Sequence, residues 1–298
     1  MSLRGRASKI LNSTLALDIL CIPVLFLLSF FIFYPFIRGL MISFTNWDGF
    51  SQTKDWIGLD NYGRMLADRN VGKIIGNTII YAVGSTIFQN LLGLSFAVLL
   101  DKAIKGKNIA RAIIYMPVMV SGLIMGYIWY FLFQEDGGAI NEIIIALGKQ
   151  TVRFLSSGKL TVMLITAVNV FQYCGMCMII YLAGLQTIPK DYYEAAAIDG
   201  AKRTHIFRRI TLPLLMPSIT INVVLNLIGG LKLFDVIIAM TNGGPGYMTQ
   251  SLSTMMYQTY FAAKDAGYAA AIGNFMFVVI TIIGMSTLFT LRKREVEY

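Results

Sequence analysis

An all-α membrane protein with six transmembrane helices is the fold class this sequence predicts, on three observations. Of its 298 residues 56% are hydrophobic and 14% charged, with a mean hydropathy of +0.65, too apolar for a soluble domain of this size. Apolar stretches of about twenty residues or more recur six times, and an α-helix needs ~20 residues to cross ~30 Å of hydrocarbon. The remaining charges are sorted between alternate connecting segments. Lipid-facing backbone must satisfy its own polar groups, so each apolar stretch is expected to be helical.

The first stretch, Leu15–Ile37, follows Arg4, Arg6 and Lys9. Its apolar core exceeds that of a secretory signal peptide and no A-x-A-like site ends it, so it reads as a span. The segment after it, TNWDGFSQTKDWIGLDNYGRMLADRN, mixes aromatics with Asp, Gly and Asn. That composition suits turns and an interfacial helix, with Trp47 and Trp56 at headgroup level. The next spans are Asn77–Leu100, Ala112–Phe133 and Leu160–Leu185, the last ended by Ile188–Pro189. A charged island over 186–213 precedes the fifth span, Leu214–Met240. Thr241–Gly246, TNGGPG, is a turn signal, and YMTQSLSTMMYQTYF reads as a short amphipathic helix at the outer surface. The sixth span is Ala269–Leu291, and residues 1–298 read as one transmembrane domain.

With the N-terminus inside, 15 Lys and Arg fall in inner segments and 8 in outer loops. Basic residues near span ends stay cytoplasmic, so both termini and the island are assigned to the cytoplasm. The net charge of +9 is thus a topology signal rather than a phosphate-binding stripe, and no nucleic-acid partner is expected. Cys21, Cys174 and Cys177 give no disulfide framework. The Cys174/Cys177 pair reads as small apolar residues at a helix interface, not as a metal site. The sequence carries no G-x-x-x-x-G-K-[ST], H-E-x-x-H or G-x-S-x-G, and its lone His205 sits on a basic helix. No catalytic residue and no metal site are expected, and the chain cannot hydrolyse ATP through a P-loop of its own.

The island, EAAAIDGAKRTHIFRRITLP, is the most informative stretch. Asp191 and Glu194 fall early in a short helix, where the dipole favours acids, and the alanines favour helix. Asp199–Gly200 breaks it, Gly200 taking the positive φ of a helix C′ position. A basic helix follows until Pro213 and Pro217 return the chain to the bilayer. The run E-A-A, three residues, Gly, nine residues, I-x-L-P is complete as Glu194, Ala195, Ala196, Gly200, Ile210, Leu212 and Pro213. It resembles the EAA signature of binding-protein-dependent ABC importer permeases. That resemblance implies a type I ABC importer-like transmembrane domain whose loop carries a coupling helix docked in a groove of a cytoplasmic ATPase. The coupling residues it implies are Glu194, Ala195, Ala196, Asp199, Gly200, Lys202 and Arg203, with Arg208 adding a charge. YPFIRGLMISFTNWDG, IGLDNYGRML, TNGGPGYMTQSL and GYAAAIGNFMF look like the sugar branch, the first permease of the maltose and multiple-sugar type. The chain resembles the shorter six-span form, without the extra spans and periplasmic insertion of the enteric maltose permease.

Polar residues within spans usually face a cavity or the bundle interior. Asn169, Gln172, Tyr173 and Met176 share one helical face in span four, and Asn222, Asn226, Gly229, Gly230 and Leu233 one in span five. Such faces suit a polyhydroxylated, uncharged ligand, or hydrogen-bond each other as packing glue. In the sugar branch substrate-facing positions flank the EAA loop, which implies Gln172, Tyr173, Met176, Asn226, Gly230 and Leu233 as substrate-binding residues. Lys232 and Asp235, three apart, read as an intramembrane ion pair, with contact to an acidic sugar the alternative. Glycines and prolines at Pro117, Gly122, Gly126, Pro217, Gly229 and Gly230 would let the bundle switch states.

The expected function is therefore a multi-pass permease subunit of an ATP-driven sugar importer in the bacterial cytoplasmic membrane. Its expected partners are a homologous second permease, two copies of an ABC ATPase that bind the ATP and Mg, and an extracytoplasmic sugar-binding protein. An ABC permease for an amino acid or polyamine keeps the EAA loop but lacks the NWDG and GGPG signatures. A secondary transporter needs intramembrane acids, and only Asp235 lies deep in a span.

Overall fold

The computed structural model describes residues 21–102 and 105–295. Arg4, Arg6, Lys9, the start of the first expected span and the last residues of the chain lie outside them. The described residues form helices α1 (Cys21–Ile42), α2 (Asp60–Ala67), α3 (Arg69–Asp101), α4 (Lys107–Met119) and α5 (Gly122–Phe133). These are followed by α6 (Ala139–Ala146), α7 (Lys159–Thr187), α8 (Asp191–Ile198), α9 (Arg203–Leu214) and α10 (Met216–Leu231). Helices α11 (Asp235–Thr241), α12 (Leu252–Phe261) and α13 (Ala266–Arg292) complete the chain. Extended pairing among the described residues is a single bridge between Thr45 and Trp56. Four helices, α1, α3, α7 and α13, are long and apolar enough to cross a membrane, or up to six spans if α4–α5 and α9–α10 each count as one.

Two expected spans are bent rather than straight. The stretch Ala112–Phe133 turns by 96° between α4 and α5. Pro117 cannot donate to the helical ladder, and Val120 and Ser121 are extended (ψ 134° and 141°). The stretch Leu214–Met240 turns by 66° at Leu215, between Pro213 and Pro217. It breaks again after Leu231, where the Lys232 N–H closes back onto the Ile228 and Gly229 carbonyls. Because that break lies between them, Lys232 and Asp235 do not share a helix face. The expected ion pair is absent: the described residues hold Arg64–Asp265 and Arg153–Glu135 alone.

Three apolar clusters run along the bundle. One packs α2 and the start of α3 against α12 and α13 around Met65, Ile74, Met255 and Ile272. A second gathers the ends of α3 and α7 with Leu215. The third joins α5, α7 and α11. Helix α3, 33 residues and so ~50 Å long, connects the first two, which puts α12 and α8 at opposite ends. Small residues allow close approach: a Cβ on Gly93 would lie 2.4 Å from Cys177 Cβ, and one on Gly126 2.5 Å from Ala239 Cβ. Cys177 is a buried free thiol at such a contact, and Cys174 is a buried free thiol as well.

Candidate functional site

All six residues expected to face substrate line one cavity of about 330 Å³ between α7 and α10. The α7 face contributes Gln172, Tyr173 and Met176, and α10 contributes Asn226 and Gly230. Leu233, beyond the end of α10, lines it as well. The neighbouring amides divide their work. Asn169 Nδ2 donates to Ser85 Oγ (2.8 Å), Asn222 Nδ2 to the Cys177 carbonyl (3.3 Å) and Asn226 Nδ2 to Cys177 Sγ (2.9 Å). These donors are used in interhelical packing. Gln172 Nε2 donates to the Val120 carbonyl (2.9 Å), which the α4–α5 bend removes from the helical ladder. A buried carbonyl left without a donor costs about 1–3 kcal/mol, so this bond stabilises the bend. Gln172 Oε1 is buried without a partner and Gln172 lines the cavity. The cavity brings amide side chains, Tyr173 and the Lys232 ammonium together, which suits a ligand rich in hydroxyls.

Two assignments are refined by packing. Gly230 is buried against α3: a Cβ there would lie 2.5 Å from Ala82 Cα and 3.0 Å from the Tyr81 carbonyl oxygen. Its first duty is helix contact, at a π-helical turn over Ile80–Gly84 that widens α3 locally. Gly229 has nothing within 4 Å of such a Cβ and also lines the cavity. Sequence reasoning missed Gln89, which reaches the cavity from α3 and donates to the Asn169 carbonyl (2.9 Å); an amide in the middle of an apolar span was the available signal. It also missed that Phe234 and Asp235 enter the lining once the helix breaks; Lys232, for which ligand contact was the alternative expectation, lines it as well.

At the other end, α8 closes as expected. Gly200 has φ +69°, its N–H bonds the Ala197 carbonyl (3.1 Å), and the Ala201 N–H bonds that of Ala196 (3.0 Å). These are the two bonds of a Schellman closure. Tyr193 Oη meets Thr211 Oγ1 at 3.4 Å and ties α8 to α9. Glu194, Ala195, Ala197, Asp199, Lys202 and Arg203 are exposed. Ala196 is not: at 8% exposure it is packed within the chain, so close approach falls to Ala195 and Ala197. None of the loop's charges joins an ion pair among the described residues. Ile198, unremarked in the sequence, stands 86% exposed at the tip of the loop, an apolar contact amid charges. Lys202, His205, Arg208 and Arg209 line a basic recess between α8 and α9.

Residues 89–294 match the family described as "Binding-protein-dependent transport system inner membrane component". The chain is 34% identical to the probable starch degradation products transport system permease protein AmyD of Thermoanaerobacterium thermosulfurigenes, over 92% of this chain and 93% of that one. It is likewise 34% identical to the multiple sugar-binding transport system permease protein MsmF of Streptococcus mutans, over 97% of this chain and 99% of that one. A crystal structure of a bacterial ABC transporter involved in the import of the acidic polysaccharide alginate superposes with a TM-score of 0.84. That match covers 97% of this chain and 99% of the other at 24% identity, a likeness of fold.

Proposed function

The chain belongs to the family of binding-protein-dependent transport system inner membrane components, and on that premise we propose that it is the permease subunit of an ATP-driven importer for a sugar or oligosaccharide. It is an integral membrane protein. The finer topology, six spans with both termini in the cytoplasm of a bacterium, rests on the distribution of Lys and Arg. The relatives named for starch degradation products and multiple sugars support the carbohydrate class. So does the structural observation that carries the reading: two polar helix faces, bearing Gln172 and Tyr173 on one side and Asn222 and Asn226 on the other, meet around one cavity.

In this mechanism a sugar-binding protein delivers substrate while the cavity faces outward. Hydroxyls bond the amide groups of the two helix faces, Gln172 among them, and Tyr173 lies along an apolar face of the ring. A second, homologous permease completes the pathway. Two copies of a cytoplasmic ATPase bind ATP and Mg and engage Glu194, Ala195, Asp199, Gly200, Lys202 and Arg203, so that hydrolysis is felt as a movement of α8. The chain itself performs no bond chemistry. The α4–α5 and α9–α10 bends supply the hinges that alternating access requires.

Uptake of labelled sugars by cells lacking this chain, with and without complementation, tests the reading. Restored uptake of a sugar is the expected result. Restored uptake of an amino acid or polyamine alone would keep the family and overturn the carbohydrate class. Gln172→Met is expected to raise the half-saturating sugar concentration about tenfold, the worth of one hydrogen bond, and to lower the yield of folded protein through loss of the bond to the Val120 carbonyl. An unchanged value would assign Gln172 to the bend alone.

A further inference from the structure

A second cavity, of about 630 Å³, adjoins the amide-lined one. Five aromatic side chains line it beside aliphatic residues such as Ile42, Met256 and Met276: Trp47 follows α1, Phe234 lies in the break after α10, and Tyr257, Tyr260 and Phe261 lie on α12. Lys232 and Phe234 line both cavities, so the two meet where α10 ends. The aromatic wall is preformed. Phe234 and Tyr257 pack edge to face with ring centroids 5.2 Å apart, and Tyr257 and Phe261 lie 4.8 Å apart. Trp47 Nε1 already donates to the Ser51 carbonyl (2.8 Å), leaving its indole to make apolar contact. Tyr257 and Phe261 remain 40% and 61% exposed.

The two cavities differ in the chemistry they offer, and an oligosaccharide carries both kinds. Hydroxyls at the rim of a pyranose ring suit the amides of the inner cavity. The C–H faces of the next ring suit aromatic walls. Lys232, unpaired with Asp235 and standing at the junction, presents three N–H donors to the linkage between them. We propose that the aromatic cavity is a second carbohydrate subsite, holding a trailing ring while the leading rings sit among the amides. The proposal rests on the carbohydrate reading of the inner cavity. It makes chain length something this permease reads, through Phe234, Tyr257 and Phe261.

The test is uptake by the complete reconstituted importer, comparing maltose with maltotetraose, or the di- and tetrasaccharide of whichever series the wild type carries. Tyr257→Ala and Phe261→Ala, at exposed positions, are expected to raise the half-saturating concentration of the tetrasaccharide about tenfold and leave the disaccharide unchanged. Equal losses at both lengths, or none, would overturn the proposal and leave lipid or a partner subunit as the occupant of the wall. A second readout does not depend on those variants. With Trp56→Phe and Trp129→Phe, Trp47 is the remaining tryptophan, and its fluorescence is expected to shift with tetrasaccharide and not with disaccharide. Absence of that shift also counts against the subsite. Failure of the wild type to carry any sugar would instead overturn the carbohydrate reading on which the subsite rests.

Discussion

Gly200→Pro is expected to reduce ATP-driven uptake to background while the membrane bundle remains assembled. The reason is conformational rather than steric. Nothing lies within 4 Å of a Cβ placed at Gly200, so there is room for a side chain, but its φ is +69°. An L-residue in the left-handed region costs roughly 1–2 kcal/mol, and proline, fixed near φ −65°, cannot adopt it at all. Proline also removes the N–H that bonds the Ala197 carbonyl. The Schellman closure is lost and the tip of α8 is re-aimed, with Ile198 and Asp199 displaced from whatever surface they meet. Gly200→Asn, which tolerates positive φ, should retain much of the activity. Glu194→Lys is the electrostatic counterpart: the side chain is exposed and unpaired, so folding is spared and docking is not. Copurification of the ATPase with each variant, beside uptake, separates a loop that couples from one that only sets topology.

Adjacent glycines in α10 should give opposite phenotypes. Gly230→Val drives a side chain into backbone, at 2.5 Å from Ala82 Cα and 3.0 Å from the Tyr81 carbonyl oxygen. Backbone cannot rotate out of the way, so α10 must separate from α3. Overpacking of this kind costs about 1–3 kcal/mol even where side chains can adjust. Loss of folded protein from the membrane is the expected outcome, read by detergent extraction and thermal unfolding. A Cβ at Gly229 meets nothing within 4 Å, and Gly229 lines the cavity, so Gly229→Val extends toward that space. That variant should fold normally and yet lower sugar uptake by about tenfold or more, the effect of one occluding side chain on affinity. Folded Gly230→Val with intact uptake would contradict the packing account of α10.

How much was legible in the sequence follows from what each signal depends on. The unbroken spans and the EAA loop rest on local patterns, and α7, α8 and the positive φ of Gly200 appear where those patterns put them. Gln172, Tyr173, Met176, Asn226, Gly230 and Leu233 do line one cavity; spacing marks the two helix faces but leaves packing glue open, and it is the family resemblance that singles out these six as substrate-facing. The breaks were not. Hydropathy is blind to whether a proline kinks a helix gently or ends it, so the bends at Val120 and Leu215, and the second break after Leu231, emerge only in three dimensions. With that second break went the expected Lys232–Asp235 pair, which presumed an intact helix. Ala196 turned inward because α8 packs on the chain through one of its alanines, and a run of identical small residues carries no mark of which. The outer aromatic cavity joins residues more than 200 positions apart, Trp47 and Tyr257 to Phe261, and no local pattern announces it.

The central claim is that this chain carries sugar through a membrane cavity and takes its drive from a separate ATPase through α8 and Gly200. ATP hydrolysis by the purified complex of this chain with its second permease, ATPase and binding protein tests it most directly, titrated with a panel of oligosaccharides beside Gly200→Pro. The account predicts stimulation by a sugar with the wild-type chain and none with the variant, both complexes being assembled. Equal stimulation of both, or no copurifying ATPase with the wild type, would contradict it.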